Sequence, residues 1–243
     1  MSFRNPALVE IFAEAHFEPG SFPSSRFFDV VPKLKSIGFT DVGIDSAIGP
    51  EVIESPELLL QPPPRIRCWS PKRNRLVQLW PDTLAVNLVG PYPGWDDYFR
   101  LFRTVHEAVR SIIGAVQLDT LALHTIDKFV VPIAMFTAGK YLQCGGVRIP
   151  AWYSDTRQAF DITLGKGLLK TDGFNRVLRI AGRPAEETFT IQITSLFHDA
   201  AHGKSAEELL STLHEESNVS FYSLVTQTTV DEVMGGRVNH ANA

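Results

Sequence analysis

Cysteine is nearly absent: Cys68 and Cys144 are the two in 243 residues. That usage suits a reducing compartment, and nothing in it requires a disulfide. Positive charge is not in excess either. With a net charge of −4, no global field draws the chain to nucleic acid or anionic lipid. Long apolar runs are missing, since no window approaches the ~20 residues of a membrane span. The N-terminal stretch carries Glu10, Glu14 and His16 where a signal peptide needs an unbroken apolar segment. A cytoplasmic, bacterial-type protein that is neither cleaved nor anchored is the expectation. Also lacking are a Gly-x-Ser-x-Gly nucleophile elbow and any base visible near either cysteine, so Ser/His/Asp and Cys/His catalysis find no support. What is present, 44% apolar and 21% charged residues, is the ordinary material of a globular domain with a real core.

One stretch organises the rest, Gly94 to Gly114. Trp95, Tyr98, Phe99, Phe102, Val105, Val109, Ile112 and Ile113 recur at gaps that keep them on one helical stripe. Asp96 and Asp97 suit the first turn and Arg110 the last, as the helix dipole prefers, and Gly114 supplies the stop. Before it, residues 7–18 alternate as a strand, with Ala7, Val9, Ile11, Ala13, Ala15 and Phe17 on one face. Glu10, Phe12, Glu14, His16 and Glu18 lie on the other. A short helix is expected from Pro23 to Ile37, with Phe27, Phe28, Val31 and Leu34 as its apolar side. Residues 41–64, broken by Pro50, Pro56 and Pro62 to Pro64, read as a long irregular connection. Strands over Arg65–Ser70, Arg75–Trp80 and Thr83–Val89 make a meander, turned at Pro71–Asn74 and Pro81–Asp82.

After the organising helix, Gln117–Val131 reads as a long strand, in which His124 and Asp127 point to opposite faces. Residues 133–158 are weakly patterned. Phe160–Leu169 and Phe174–Ala181 look like a hairpin, and Glu187–Phe197 alternates cleanly. Ser205 and Glu208 form a capping box for a helix carrying Leu209, Leu210 and Leu213. Asn218 is expected to recap the chain for a second helical run with Phe221, Leu224 and Val225, ended by Gly235-Gly236. The fold class is therefore α+β, antiparallel sheet packed on long amphipathic helices. Strand-strand-strand-helix occurs twice, over 65–113 and 160–234, so a pseudo-duplication is expected within a single domain, 1–243, with halves 1–131 and 132–243.

Candidate chemistry is thin. His198 and His202 are four apart and would share a metal if helical, with His214 or Asp199 completing the site. They follow a strand and precede a helix cap, though, so exposed loop histidines are the plainer reading. Gly203-Lys204-Ser205 resembles the end of a phosphate loop, but His198 stands where that motif needs glycine. Glu10, Glu14 and Glu18 with His16 line one strand face, spaced about 7 and 13 Å along it. That suits a solvated wall, or a surface for a basic partner. Arg65, Arg67, Lys72, Arg73 and Arg75, with Trp69 and Trp80 near, are the one place where nucleic-acid binding is arguable. An exposed hairpin is also charged merely to stay soluble.

Several fragments together resemble a sporadically distributed bacterial family of uncharacterised proteins. They are NPALVEIFAEAHFEP (Asn5, Pro6, Glu10), GPYPGWDDYF (Tyr92, Pro93, Gly94, Trp95), LALHTIDKFVVP, and LHEESNVSFYSLVTQ (His214, Phe221). In the third fragment the family carries an Arg-Tyr-x-Asn flavour where this chain has His124, Thr125 and Asp127. The resemblance brings no activity with it. It implies the context of mobile, defence-associated or toxin–antitoxin-like genes. The expected function is a non-catalytic protein-binding or regulatory component, an accessory or antitoxin-like subunit, with no cofactor and no catalytic residues. Its partner is expected to be another protein encoded nearby, and its working part the scaffold's outer surface. The alternatives are a metal-dependent hydrolase or nucleotide-processing enzyme, and an RNA- or DNA-binding module built on the 65–75 hairpin.

Overall fold

The computed structural model describes residues 2–3, 7–20, 26, 28–45, 65–114, 116–131, 138–143, 160–167, 174–183, 188–198, 204–235 and 237–238. The chain enters through β1 (Ser2–Phe3) and the long strand β2 (Leu8–Phe17), then α1 (Val30–Ser36). A meander follows, β3 (Asp41–Asp45), β4 (Arg65–Trp69), β5 (Arg75–Trp80) and β6 (Thr83–Val89), and leads into α2 (Trp95–Ile113). Next come β7 (Leu118–Val130), the short α3 (Ala138–Tyr141), and a second meander, β8 (Phe160–Gly167), β9 (Phe174–Arg183) and β10 (Thr188–His198). Helix α4 (Ala206–Leu224), a π-helical turn (Thr229–Val233) and β11 (Arg237–Val238) close the chain, β11 pairing with β1.

Nine antiparallel strands make one sheet in the order β3-β4-β5-β6-β2-β7-β10-β9-β8. The order shows one arrangement occurring twice. Each copy is a strand, a helix, a meander and a long helix, and in each the opening strand adds to the last strand of its own meander. The two opening strands, β2 and β7, then pair with each other, with Ala13 opposite Leu123 and Ala15 opposite Leu121. By topology β7 opens the second copy, whereas the sequence reading ends the first half at 131. The two copies share one sheet. The expected α+β class, antiparallel sheet on long amphipathic helices, is what the chain forms.

The described helices all pack on one face of the sheet. Alternation along β2 buries Ile11, Ala13, Ala15 and Phe17, and along β7 it buries Leu121, Leu123 and Phe129 on the same side. Onto this surface α2 lays Tyr98, Phe102, Val105 and Val109, all fully buried. Tyr98 is polar at its tip, and its hydroxyl donates to the Val86 carbonyl at 3.0 Å, so the burial leaves nothing unsatisfied there. Gly94 and Gly114 bracket the helix at φ 122° and 90°, where a side chain would be strained. Helix α4 starts on the expected capping box, Ser205 and Glu208 exchanging backbone and side-chain hydrogen bonds. Its first half, Ala206 to Leu213, joins the core under α2. Its second half, Phe221 and Val225, belongs to a separate core with Phe129, Phe189, Ile191 and Tyr141. The two long helices are tied to each other by His106 Nδ1 and Glu207 Oε1 at 3.1 Å.

Four expectations are corrected. Residues 41–45 are not irregular: they form β3, which pairs with β4 from Asp41–Trp69 to Asp45–Arg65, while 46–64 lie outside the described residues. The first helix begins at Val30, so Phe28 is exposed rather than on its apolar side. Within 133–158 a helical turn occurs at Ala138–Tyr141, while 133–137 and 144–158 lie outside the described residues. Asn218 caps nothing. Helix α4 runs through it to Leu224, because Ser217 and Ser220 flank it on the buried side and the packing outweighs its weak helix preference.

Phe102→Ala removes a fully buried ring between α2 and the sheet and is expected to cost about 3–5 kcal/mol. Val219→Ala, at a position 63% exposed on α4, is expected to change stability by less than about 0.5 kcal/mol. Urea unfolding of both variants checks the pair. Equal losses would contradict the assignment of faces.

Candidate functional site

Between the two cores the apolar filling stops. A cavity of about 860 Å³ lies there, under α4 and beside the N-terminus of α2. Its floor is the β2–β7 seam at Ala7, Leu8, Ile11, Thr125 and Asp127, and α4 covers it with His214, Ser217, Asn218, Phe221 and Tyr222. The entry to α2, Tyr92 to Asp96, makes one wall. The floor is irregular. Leu8 opposes Asp127 and Glu10 opposes Ile126, so Val9 is an extra residue on β2. Its carbonyl instead accepts from Gly90 at 2.9 Å. Such bulges bend a strand and re-aim the side chains beside it.

Asp127 is the unusual group on this floor. It shares the buried phase of β7 with Leu121, Leu123, Thr125 and Phe129, and is 6% exposed. No described residue hydrogen-bonds or ion-pairs with its carboxyl. Burial alone pushes it up to about 7, because the charged form is poorly solvated there. Without a partner among the described residues, such a carboxyl is costly to bury, which makes this position a candidate for a functional site. Tyr92 presents a second unanswered group: its hydroxyl is buried with no hydrogen-bond partner among the described residues, and burial also holds its proton on.

The remaining polar wall is satisfied. Thr125 and Ser217 hydroxyls meet at 3.3 Å. The His214 ring lies on Trp95 with centroids 3.7 Å apart and planes 2° from parallel. Burial lowers its pKa to about 4, so the imidazole is neutral at physiological pH. Its Nε2 takes a hydrogen bond from the Asn218 amide at 3.0 Å, one helical turn on. The fragments Tyr92–Trp95 and His214–Phe221 are thus brought together on one cavity although the chain separates them widely.

The opposite face of the sheet carries no helix among the described residues. Two polar rows cross it. In one, Arg65 bonds Gln78, Gln78 donates to Asn87 at 2.9 Å, and Asn87 donates to Glu10 at 3.1 Å. In the other, Glu14 Oε2 lies 3.7 Å from His16 Nε2 and 3.5 Å from His124 Nε2. The far nitrogens of those rings contact Thr83 at 3.1 Å and Thr194 at 2.9 Å. Phe12 stacks on the His124 ring at 4.2 Å. A hydroxyl, an imidazole and a carboxylate in that order resemble a hydrolytic relay. Thr194, however, is mid-strand with β7 and β9 paired on either side, so no free amides surround it to stabilise an oxyanion.

The sequence candidates can now be placed. Glu10 and Glu14 are engaged within the chain, while Glu18 is exposed just past the end of β2. Arg65 and Arg67 lie on the open face in β4, Lys72 and Arg73 in the turn after it, and Arg75 in the other phase of β5, so the five do not form one patch. Arg65 sits over Trp80 at 4.7 Å, and Arg73 pairs with Asp41. His214 is on the cavity. His198 ends β10, but its side chain and all of His202 are outside the described residues, among which no cluster of His, Cys, Asp or Glu is suited to a metal. Cys68 is buried, its thiol pushed up to about 11 by burial, as expected of a packing residue. Asp127 was missed as a site. Its signal was present: a carboxylate falls in the apolar phase of its strand. No protein-family model matches the chain, and no curated protein matches it.

Glu14 yields a pH test. The contact with His124 first, and with His16 second, holds its carboxyl at about 2 rather than 4.5. A depressed folded-state value stabilises above the unfolded value and is lost as pH falls through the folded one. Both contacts are long for hydrogen bonds, so Glu14→Gln is expected to cost about 1–2 kcal/mol at pH 6. The difference should shrink steadily between pH 4.5 and 2. Denaturant unfolding across that range decides, and a pH-independent gap would refute the assignment.

Proposed function

We propose that this protein is a non-catalytic binding component that holds a small molecule in the cavity between α2, α4 and the β2–β7 seam. One observation carries the reading: a carboxyl that is almost wholly buried, without a partner among the described residues, on the floor of a cavity of ligand size. Trp95 and Tyr222 give the walls aromatic area. The polar groups are few and convergent, as in sites that orient a ligand. None of the described lining residues is a poised nucleophile, which favours binding over turnover.

The regulatory role, the partner protein encoded nearby and the defence-associated, antitoxin-like setting belong to the same proposal, as does the cytoplasm. What supports them is the resemblance of the sequence fragments, all four of which supply cavity residues. No helix among the described residues is long and apolar enough to cross a membrane. A nucleic-acid role for the hairpin is the weaker reading, since Arg65 and Arg73 are already occupied by Gln78 and Asp41.

The test is a thermal-shift screen with a chemically diverse set of small molecules. A ligand at a hundred times its Kd adds about 2.7 kcal/mol, or about 5–10 °C for a chain of this size. Asn218→Trp, at the exposed edge of the cavity, and Ser217→Leu, in its depth, are each expected to abolish the shift. Shifts that survive both substitutions would place the site elsewhere, and a screen without any stabilising compound would contradict the proposal.

A further inference from the structure

We infer that the cavity takes an organic cation, an amine whose ammonium group sits against the Asp127 carboxylate while its apolar body lies along Trp95, Phe221 and Tyr222. The inference rests on the cavity being the binding site, and adds the ligand's charge and shape. Four observations point the same way.

Among the described residues Asp127 is the only charged group on the floor, and none of them supplies it with a counter-charge. The positions opposite it on β2 and β10, Leu8 and Ile191, are apolar. A bound cation would remove the cost of leaving a buried carboxylate unpaired. A bound anion would add to it. At the rim stands a second carboxylate, Asp96, exposed to solvent, and no lysine or arginine is among the described lining residues. Diffusing cations are therefore favoured over anions on approach.

The third observation concerns the one feature that would attract an anion, the N-terminus of α2 at the wall. Its first turn carries Asp96 and Asp97, which already answer the positive end of the helix dipole. Fourth, the walls are aromatic, and ring faces attract ammonium groups. His214, held neutral, puts no opposing charge beside them. The buried Tyr92 hydroxyl has a free lone pair to accept an N–H. At about 860 Å³ the cavity has space for a ligand with one or two rings.

Proton linkage gives a sign. Burial holds the empty-site carboxyl up at about 7, and an ammonium ion requires it ionised, so binding below that pH must expel a proton. The other titratable groups on the wall are Asp96, His214, Tyr92 and Tyr222. His214 is neutral and the Tyr92 hydroxyl stays protonated across the range. Amine affinity should therefore be about tenfold weaker at pH 6 than at pH 8.

The experiment uses matched probes on the full chain by calorimetry: 2-phenylethylamine and tryptamine, the neutral 2-phenylethanol and tryptophol, and the anionic 3-phenylpropionate and indole-3-acetate. The expected result is that each amine binds at least tenfold more tightly than its alcohol, with the carboxylates weakest. In Asp127→Asn the amine should fall to the level of the alcohol and lose its pH dependence. If alcohols or carboxylates bind as well as amines, or if Asp127→Asn leaves the amine preference intact, the cation is wrong while the cavity reading stands. If the amines fail but the diverse set of compounds stabilises the protein, the cation is again wrong. If neither set binds, the cavity reading falls as well.

Discussion

The antiparallel ladder between β2 and β7 is the constraint on which this molecule depends. Each strand opens one copy of the same arrangement, and each would be a bare sheet edge if the copies were apart. Pairing them satisfies both edges at once and makes one continuous sheet. It also forces the two long helices onto a common face, where His106 reaches Glu207 and Trp95 covers His214. The small side chains Ala13 and Ala15 sit on the ladder and let the core close tightly over its centre.

The same seam sets the chemistry on both sides. Toward the helices, the bulge at Val9 and the polar run Thr125–Asp127 leave a gap between the two cores, and the cavity is that gap. Toward the other face, residues of the same two strands bring Glu14 between His16 and His124. The two sites are therefore products of one pairing register. A one-residue slip of β7 would exchange its faces, putting His124 into the core and Asp127 into water. An orphan carboxyl in an interior is a local violation of the rules that specify a fold, and such violations concentrate where function is.

Periodicity made much of the architecture legible. The stripe from Trp95 to Ile113, the alternation of Thr188–Phe197 and the capping box at Ser205 each rest on neighbours in sequence, so each could be read directly. Strand β3 was hidden because its five residues include Gly43 and run toward the prolines beyond, and only its pairing with β4 makes it a strand. The continuity of α4 was hidden by Ser217, Asn218 and Ser220, polar residues whose burial or pairing is decided by the sheet beneath. The cavity was illegible for a further reason: its walls meet across long separations, as Thr125 and Ser217 do over 92 residues. Asp127 could have been picked out from its phase alone, since four apolar or small neighbours at even spacing put it indoors. What no pattern gives is that no described residue indoors answers its charge. The sequence reading placed the working part on the outer surface; the orphan carboxyl moves our proposal to the interior.

The central claim is that Asp127, without a partner among the described residues, is a buried carboxyl on the floor of a ligand cavity. The most direct measurement is a carbon-13 NMR titration of the Asp127 side-chain carboxyl in the ligand-free protein. The account predicts a midpoint near 7, set by burial with no partner to offset it. A midpoint at or below the ordinary aspartate value, about 3.9, would mean that the carboxyl is solvated or paired, and would contradict it.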